Sequence, residues 1–91
     1  MLIELVEVKK SLNGSYNVSK ILLNPRHIVY IQEDFEMSQL LAEGKINLGF
    51  NKGVAFSKIK VNEKHRPLTI TVVGSPEDIQ SRLSKRQVLR G

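Results

Sequence analysis

Apolar and polar residues alternate along much of the chain, which is the pattern of half-buried β-strands. The alternation predicts five strands, over residues 2–11, 16–23, 27–33, 54–61 and 68–73. Between the first two strands lies Asn13-Gly14, a pair that tolerates positive φ and is typical of a type I′ hairpin turn. Pro25 ends the second strand, because proline cannot donate a hydrogen bond to a neighbouring strand.

Two helices are predicted from their terminal residues. Asp34 can cap a short helix over residues 35–43, and Gly44 is a suitable stop. Ser75-Pro76 begins a C-terminal helix, with two acidic residues in its first turn, where the helix dipole favours them. The glycine-rich stretch 44–53 is interpreted as a loop. The predicted fold class is therefore α+β, a mostly antiparallel five-stranded sheet with a short middle helix and a C-terminal helix.

The C-terminal helix carries an apolar stripe that stops early. Ile79 and Leu83 lie one turn apart, but the stripe then continues into Arg86 and Arg90. We therefore predict a single domain over residues 1–84 and a basic tail over residues 85–91. The tail is interpreted either as a frayed terminus or as an arm that orders on a partner.

Positive charge is concentrated in the second half of the chain. Residues 1–45 hold five Lys or Arg and six Asp or Glu, for a net charge of −1, whereas residues 46–91 hold nine and three, for a net charge of +6. Such a basic half indicates an anionic partner, most commonly nucleic acid. The candidate binding residues are Lys58, Lys60, Lys64, His65, Arg66, Arg82, Lys85, Arg86 and Arg90.

Alternation places Lys58 and Lys60 on one face of the fourth strand, together with Phe56, and opposite Ile59 and Val61. A basic strand face followed by a basic turn can track a phosphate backbone. The alternative is a solvated face whose charges prevent edge-to-edge pairing of sheets. Phe50 and Phe56 are the candidates for stacking on RNA bases, and core packing is the alternative for each.

The sequence contains no motif that indicates catalysis, metal binding or cofactor binding. His27 and His65 have no second ligand at metal spacing, and no nucleophile elbow or phosphate-binding loop is present, so we expect neither an enzyme nor a bound metal or cofactor. The chain has no cysteine, which fits a cytoplasmic protein, and its apolar runs are too short for a signal peptide or a membrane span. A core this small favours a homodimer.

Parts of the sequence resemble the small SwrD-like (FlbD-type) flagellar proteins. The similar segments are the opening strand, Asn13-Gly14, residues 23–31 (LNPRHIVYI) and a closing strand followed by Ser75-Pro76, together about half of the chain. Residues 34–53 form an insertion relative to that pattern, and the basic tail has no counterpart in it. The resemblance implies a compact sheet closed by a C-terminal helix. In size and charge the chain also resembles small accessory proteins of phages.

The sequence thus leads us to expect a non-catalytic regulatory or inhibitory protein that binds nucleic acid, RNA in preference to DNA, through its basic half. The alternative is a protein-interaction module, of phage or flagellar type, which docks a host protein through an edge strand or through loop 44–53.

Overall fold

The computed structural model describes residues 2–63 and 66–90. For residues 85–90 it describes the backbone alone, and side chains are described up to Ser84. The strands are β1 (Ile3–Lys10), β2 (Tyr16–Leu23), β3 (Ile28–Glu33), β4 (Phe56–Glu63) and β5 (Arg66–Val73). The helices are α1 (Phe35–Ala42) and α2 (Pro76–Arg90), and a short 3₁₀ turn, Pro25–His27, precedes β3. This confirms the predicted α+β class, with an antiparallel five-stranded sheet, a short middle helix and a C-terminal helix.

The strand order is β2-β1-β5-β4-β3, so β2 and β3 are the two edges of the sheet although they are consecutive in the chain. In a flat sheet these edges would lie about 19 Å apart, and Leu23 and Ile28 would lie at opposite ends of it. The residues that connect them reach only about 18 Å when fully extended. The sheet must therefore curl, and side chains of both edge strands pack on the same core.

The concave, inner face of the curled sheet holds the main core. Its buried members come from β1, β4, β5 and α2, and are Ile3, Leu5, Ile59, Val61, Ile70, Val72 and Ile79. Ser75 caps α2 as predicted, since its Oγ accepts a hydrogen bond from the Asp78 amide at 3.1 Å. The cap directs Ile79 of the first turn into the core, where it is almost fully buried.

The first hairpin forms where it was predicted, but its turn differs. The Gly14 amide donates to the Ser11 carbonyl at 3.0 Å, which makes Leu12 and Asn13 the central residues instead of Asn13 and Gly14. Gly14 follows them with a φ of 88°. The loop therefore has three residues, Leu12 to Gly14, and the positive φ of its last glycine is typical of three-residue hairpin loops.

The second hairpin is longer than predicted. The predicted strands 54–61 and 68–73 leave residues 62–67 as the connection, but Asn62 pairs with Pro67 and Glu63 pairs with Arg66. Polar residues can extend a hairpin beyond the core because the backbone hydrogen bonds do not depend on apolar side chains.

The C-terminal helix is also longer than the domain boundary predicted at residue 84. α2 continues through the predicted tail as far as Arg90.

Candidate nucleic-acid interface

Asp34 attaches the segment after β3 to the outer face of the sheet. Its carboxylate is buried and accepts two hydrogen bonds, from the Met37 amide at 3.0 Å and from the Thr71 hydroxyl at 3.1 Å. Its own amide donates to the Phe56 carbonyl at 2.9 Å. One residue thereby caps α1, as predicted, and joins β3, β4 and β5 at the point where the chain leaves the sheet.

Residues 35–54, which we call the strap, then cross the outer face of the sheet. Leu41 of α1 is buried against Val8 of β1 and Phe56 of β4. Half-buried residues of the irregular part of the strap pack around the same cluster, namely Ile46, Leu48, Phe50 and Val54. Tyr16 of β2 also contacts it, so the strap runs diagonally from β4 to β2. It divides the exposed outer face into two separate surfaces.

A small polar network lies at the C-terminal end of α1, within the strap. The Gln39 amide donates to a carboxylate oxygen of Glu43 at 3.0 Å, and Lys45 Nζ lies 3.1 Å from the other. These two hydrogen bonds, from Gln39 first and then Lys45, lower the pKa of Glu43. Lys45 is thus locally paired.

The first of the two surfaces, which we call the basic surface, lies on β3, β4 and β5. Lys58 stands between Gln32 and Thr71 in the strand register, and Lys60 stands between Tyr30 and Thr69. The basic surface consists of the outward-facing residues at these positions, which are Tyr30, Gln32, Lys58, Lys60, Thr69 and Thr71. All six side chains are polar or aromatic. The hydroxyl of Thr71 already donates to Asp34, and the other five can contribute hydrogen bonds or stacking to a ligand.

Both lysines of the basic surface project from half-buried positions, and Lys60 lies next to the ring of Tyr30. Lys60 Nζ lies 5.9 Å from the centroid of the Tyr30 ring, within the range of a cation–π contact. Among the described residues, ion pairs are formed by other lysines, at Lys9–Glu7, Lys20–Glu4 and Lys45–Glu43. The charges of Lys58 and Lys60 therefore remain available to an anion, as far as the described residues show.

Arg66 does not join this surface. It begins β5 and shares its face with Leu68, which is the face opposite to that of Lys60. At the end of the sheet it lines a depression of about 300 Å³ together with Glu63, Pro67 and Leu68. The neighbouring candidates Lys64 and His65 lie outside the described residues.

The candidates on α2 lie elsewhere. Arg82 donates from Nη1 to the Glu4 carbonyl at 3.2 Å, near the start of β1 and thus at the opposite end of the sheet from Arg66. Lys85, Arg86 and Arg90 belong to the last turns of α2, and their side chains lie outside the described part of the structure. The structure therefore joins Lys58 to Lys60 but does not place Arg82 beside them.

Neither predicted stacking residue offers a free ring. Phe56 is 0% exposed, because the strap covers the outer face at this position. Of the two interpretations given for Phe56, base stacking is therefore excluded and core packing is confirmed. Phe50 is half-buried against the same cluster and contributes to the packing of the strap.

Tyr30 is the aromatic residue that sequence reasoning missed. Strict alternation would place Tyr30 on the same face as Ile28, but the pairing of β3 with β4 shifts between these two residues. The shift is a β-bulge with Val29 as the extra residue, and it turns Tyr30 outward while Ile28 and Ile31 both pack on the core. Tyr30 is 39% exposed, and its ring lies beside Lys60. The continuous apolar run 28–31 was the signal that the alternation was interrupted.

Comparison of the chain with protein-family models, with curated proteins and with solved structures found no match. Within the described residues, no helix is long and apolar enough to cross a membrane. In the same part of the chain, no group of three or more His, Cys, Asp or Glu side chains is placed to hold a metal ion.

Proposed function

We propose that the protein binds nucleic acid, RNA in preference to DNA, through the basic surface, and that it acts without catalysis in a regulatory or inhibitory role. The observation that carries the proposal is the juxtaposition of Lys58 and Lys60 with the exposed Tyr30 ring on an open strand face. The absence of cysteine favours a cytoplasmic location for this binding.

The arrangement suits a single strand better than a duplex. Lysine side chains on alternate residues of β4 project in the same direction, about 7 Å apart along the strand, which is close to the spacing of phosphates in an extended strand of nucleic acid. An exposed ring beside them provides a surface on which an unpaired base can stack. Gln32 adjoins Lys58 and can form hydrogen bonds with a base edge.

A salt titration tests this proposal. Binding of fluorescent single- and double-stranded RNA and DNA would be measured by anisotropy as salt is raised, for the wild-type protein and for the double variant Lys58→Gln/Lys60→Gln. Affinity should fall linearly with the logarithm of the salt concentration, because bound lysines release counterions from the phosphates. The double variant should flatten that slope by up to about two units, roughly one for each lost contact.

The matched control removes the same charge from another part of the molecule. Lys9 and Lys45 each lie within 4 Å of a carboxylate, at 3.9 Å from Glu7 and at 3.1 Å from Glu43. The variant Lys9→Gln/Lys45→Gln should leave the slope almost unchanged. Equal slopes for the two double variants would show that net charge, rather than the basic surface, attracts the nucleic acid. If none of the four nucleic acids binds at low salt, the proposal fails.

The second candidate function is a protein-interaction module, for which the edge strand β3 is the supporting feature. β3 is the last strand of the sheet, and Val29 at its bulge is exposed. An extended peptide of a partner protein could add to such an edge. Loop 44–53 is a weaker docking element, because its apolar residues already pack on the sheet.

A pull-down from cell lysate, with and without nuclease, separates the two functions. If a protein partner is retained after nuclease treatment, the interaction module is favoured. If all captured proteins are lost with the nucleic acid, the basic surface is favoured.

A further inference from the structure

The strap leaves a second part of the outer face exposed, on β1 and β2, and this part is largely apolar. Leu22 is 58% exposed, Leu2 48%, Val18 39% and Val6 37%. We call these four side chains, with Glu4 and Lys20, the apolar surface. Exposed apolar residues that occur singly need no explanation, but a contiguous group indicates a contact surface.

The register of the hairpin shows that the group is contiguous. Val6 lies opposite Lys20, and Val18 and Leu22 are its two diagonal neighbours on β2. Diagonal neighbours on one face of a sheet are within reach of each other. Leu2 immediately precedes β1, and continuing the alternation of the strand places it on the same face. The strap does not cover this region, since its contacts on β1 and β2 are with Val8 and Tyr16.

The charges on the apolar surface balance. Glu4 and Lys20 are the charged side chains of the apolar surface, and their carboxylate and ammonium groups lie 3.7 Å apart. Lys10 shares the outer face but lies farther along β1, where its ammonium group is 5.7 Å from the centroid of the Tyr16 ring beside the strap. The whole chain has a net charge of +5, which disfavours contact between two copies over most of their surface. Here, however, one acid and one base are displayed side by side. A two-fold axis can place the Lys20 of each copy against the Glu4 of the other.

We propose that the apolar surface is the contact between two copies of this chain, packed about a two-fold axis with their β1–β2 outer faces together. The four side chains bury less than the roughly 800 Å² per partner of a standard interface. The dimer should therefore be concentration-dependent rather than obligate. The inference does not rest on nucleic-acid binding, because the strap separates the two surfaces.

Reciprocal charge reversal tests the proposal by analytical ultracentrifugation. Glu4→Lys alone sets lysine against lysine across the axis, and Lys20→Glu alone sets glutamate against glutamate. Each variant should dimerise at least about tenfold more weakly than the wild type. An equimolar mixture of the two variants should recover dimers, because each copy then faces the opposite charge. Circular dichroism would confirm that both variants are folded.

An apolar pair of variants provides the second measurement. Leu22→Glu should weaken the dimer at least about tenfold, since it buries an unpaired charge. Leu12→Glu is the matched control, because Leu12 is fully exposed on the hairpin turn, away from the apolar surface. A wild-type protein that stays monomeric up to about 1 mM overturns the proposal. A dimer that Leu22→Glu leaves intact, or a mixture that does not recover dimers, overturns it as well.

Discussion

At the scale of single residues, Asp34 is the side chain that attaches the start of the strap to the outer face of the sheet. Its carboxylate caps α1 and accepts from Thr71, and it is buried. We expect Asp34→Ala to lower the free energy of unfolding by about 2–4 kcal/mol, since a cap and a hydrogen bond to a charged group are both lost. Urea denaturation would measure the change.

Thr71→Val is the control for this residue. It removes the hydroxyl that contacts Asp34 but leaves the cap of α1 in place. The loss of stability should therefore be smaller, about 1–2 kcal/mol. If Asp34→Ala were no more destabilising than Thr71→Val, the cap would contribute nothing measurable.

The role of Tyr30 can be tested separately from the charge of the lysines. Tyr30→Ala should weaken binding of a single-stranded oligonucleotide by about 1–3 kcal/mol, the usual cost of losing a base–aromatic stack. Tyr30→Phe keeps the ring and should bind nearly as well as the wild type. Anisotropy at one salt concentration gives both values. An equal loss on duplex RNA would indicate that Tyr30 supports the fold of the surface rather than a stacked base.

At the scale of elements, the link between β5 and α2 depends on a glycine conformation. Gly74 has a φ of 119°, which residues with a side chain rarely adopt, and its carbonyl accepts from the buried Ser57 hydroxyl at 2.7 Å. We expect Gly74→Ala to destabilise the protein by roughly 1–3 kcal/mol through backbone strain. Thermal or urea unfolding measures the effect.

Gly53→Ala is the matched control for the Gly74 substitution. Gly53 has no positive φ, and an added Cβ there would meet nothing within 4 Å. Its substitution should be neutral or slightly stabilising, because alanine restricts the unfolded chain. Comparable destabilisation at both positions would exclude strain at Gly74 as the cause.

At the scale of the whole molecule, the strap separates the basic surface from the apolar surface, so the two functions proposed for them should be separable. A short oligonucleotide that occupies one basic surface should bind Leu22→Glu and the wild type with equal affinity, because distant sites act independently. A long RNA that spans both copies of a dimer should bind the wild type more tightly, through the effective concentration of the second site. Titrations with short and long RNA at dimer-forming concentrations measure the difference. A short oligonucleotide that discriminates between the two proteins would show that the surfaces are coupled.

The sequence by itself determined most of the secondary structure and the fold class. Local signals were sufficient, because alternation reports which residues share a strand face, and caps such as Asp34 and Ser75 bond within their own first turn. The same reasoning placed Lys58 and Lys60 together on the face opposite Ile59. No long-range contact is needed for either inference.

Only the tertiary structure decided which side chains on each strand face are covered by other segments and which stay exposed. Alternation put Phe56 and Lys58 on one face, but the strap buries the first and leaves the second available. The bulge at Val29 turned Tyr30 outward, and the register of β4 with β5 put Arg66 on the opposite face from Lys60. The physical reason is that burial and register depend on contacts with segments that are distant in the chain. The alternation within one strand indicates only which of its side chains share a face.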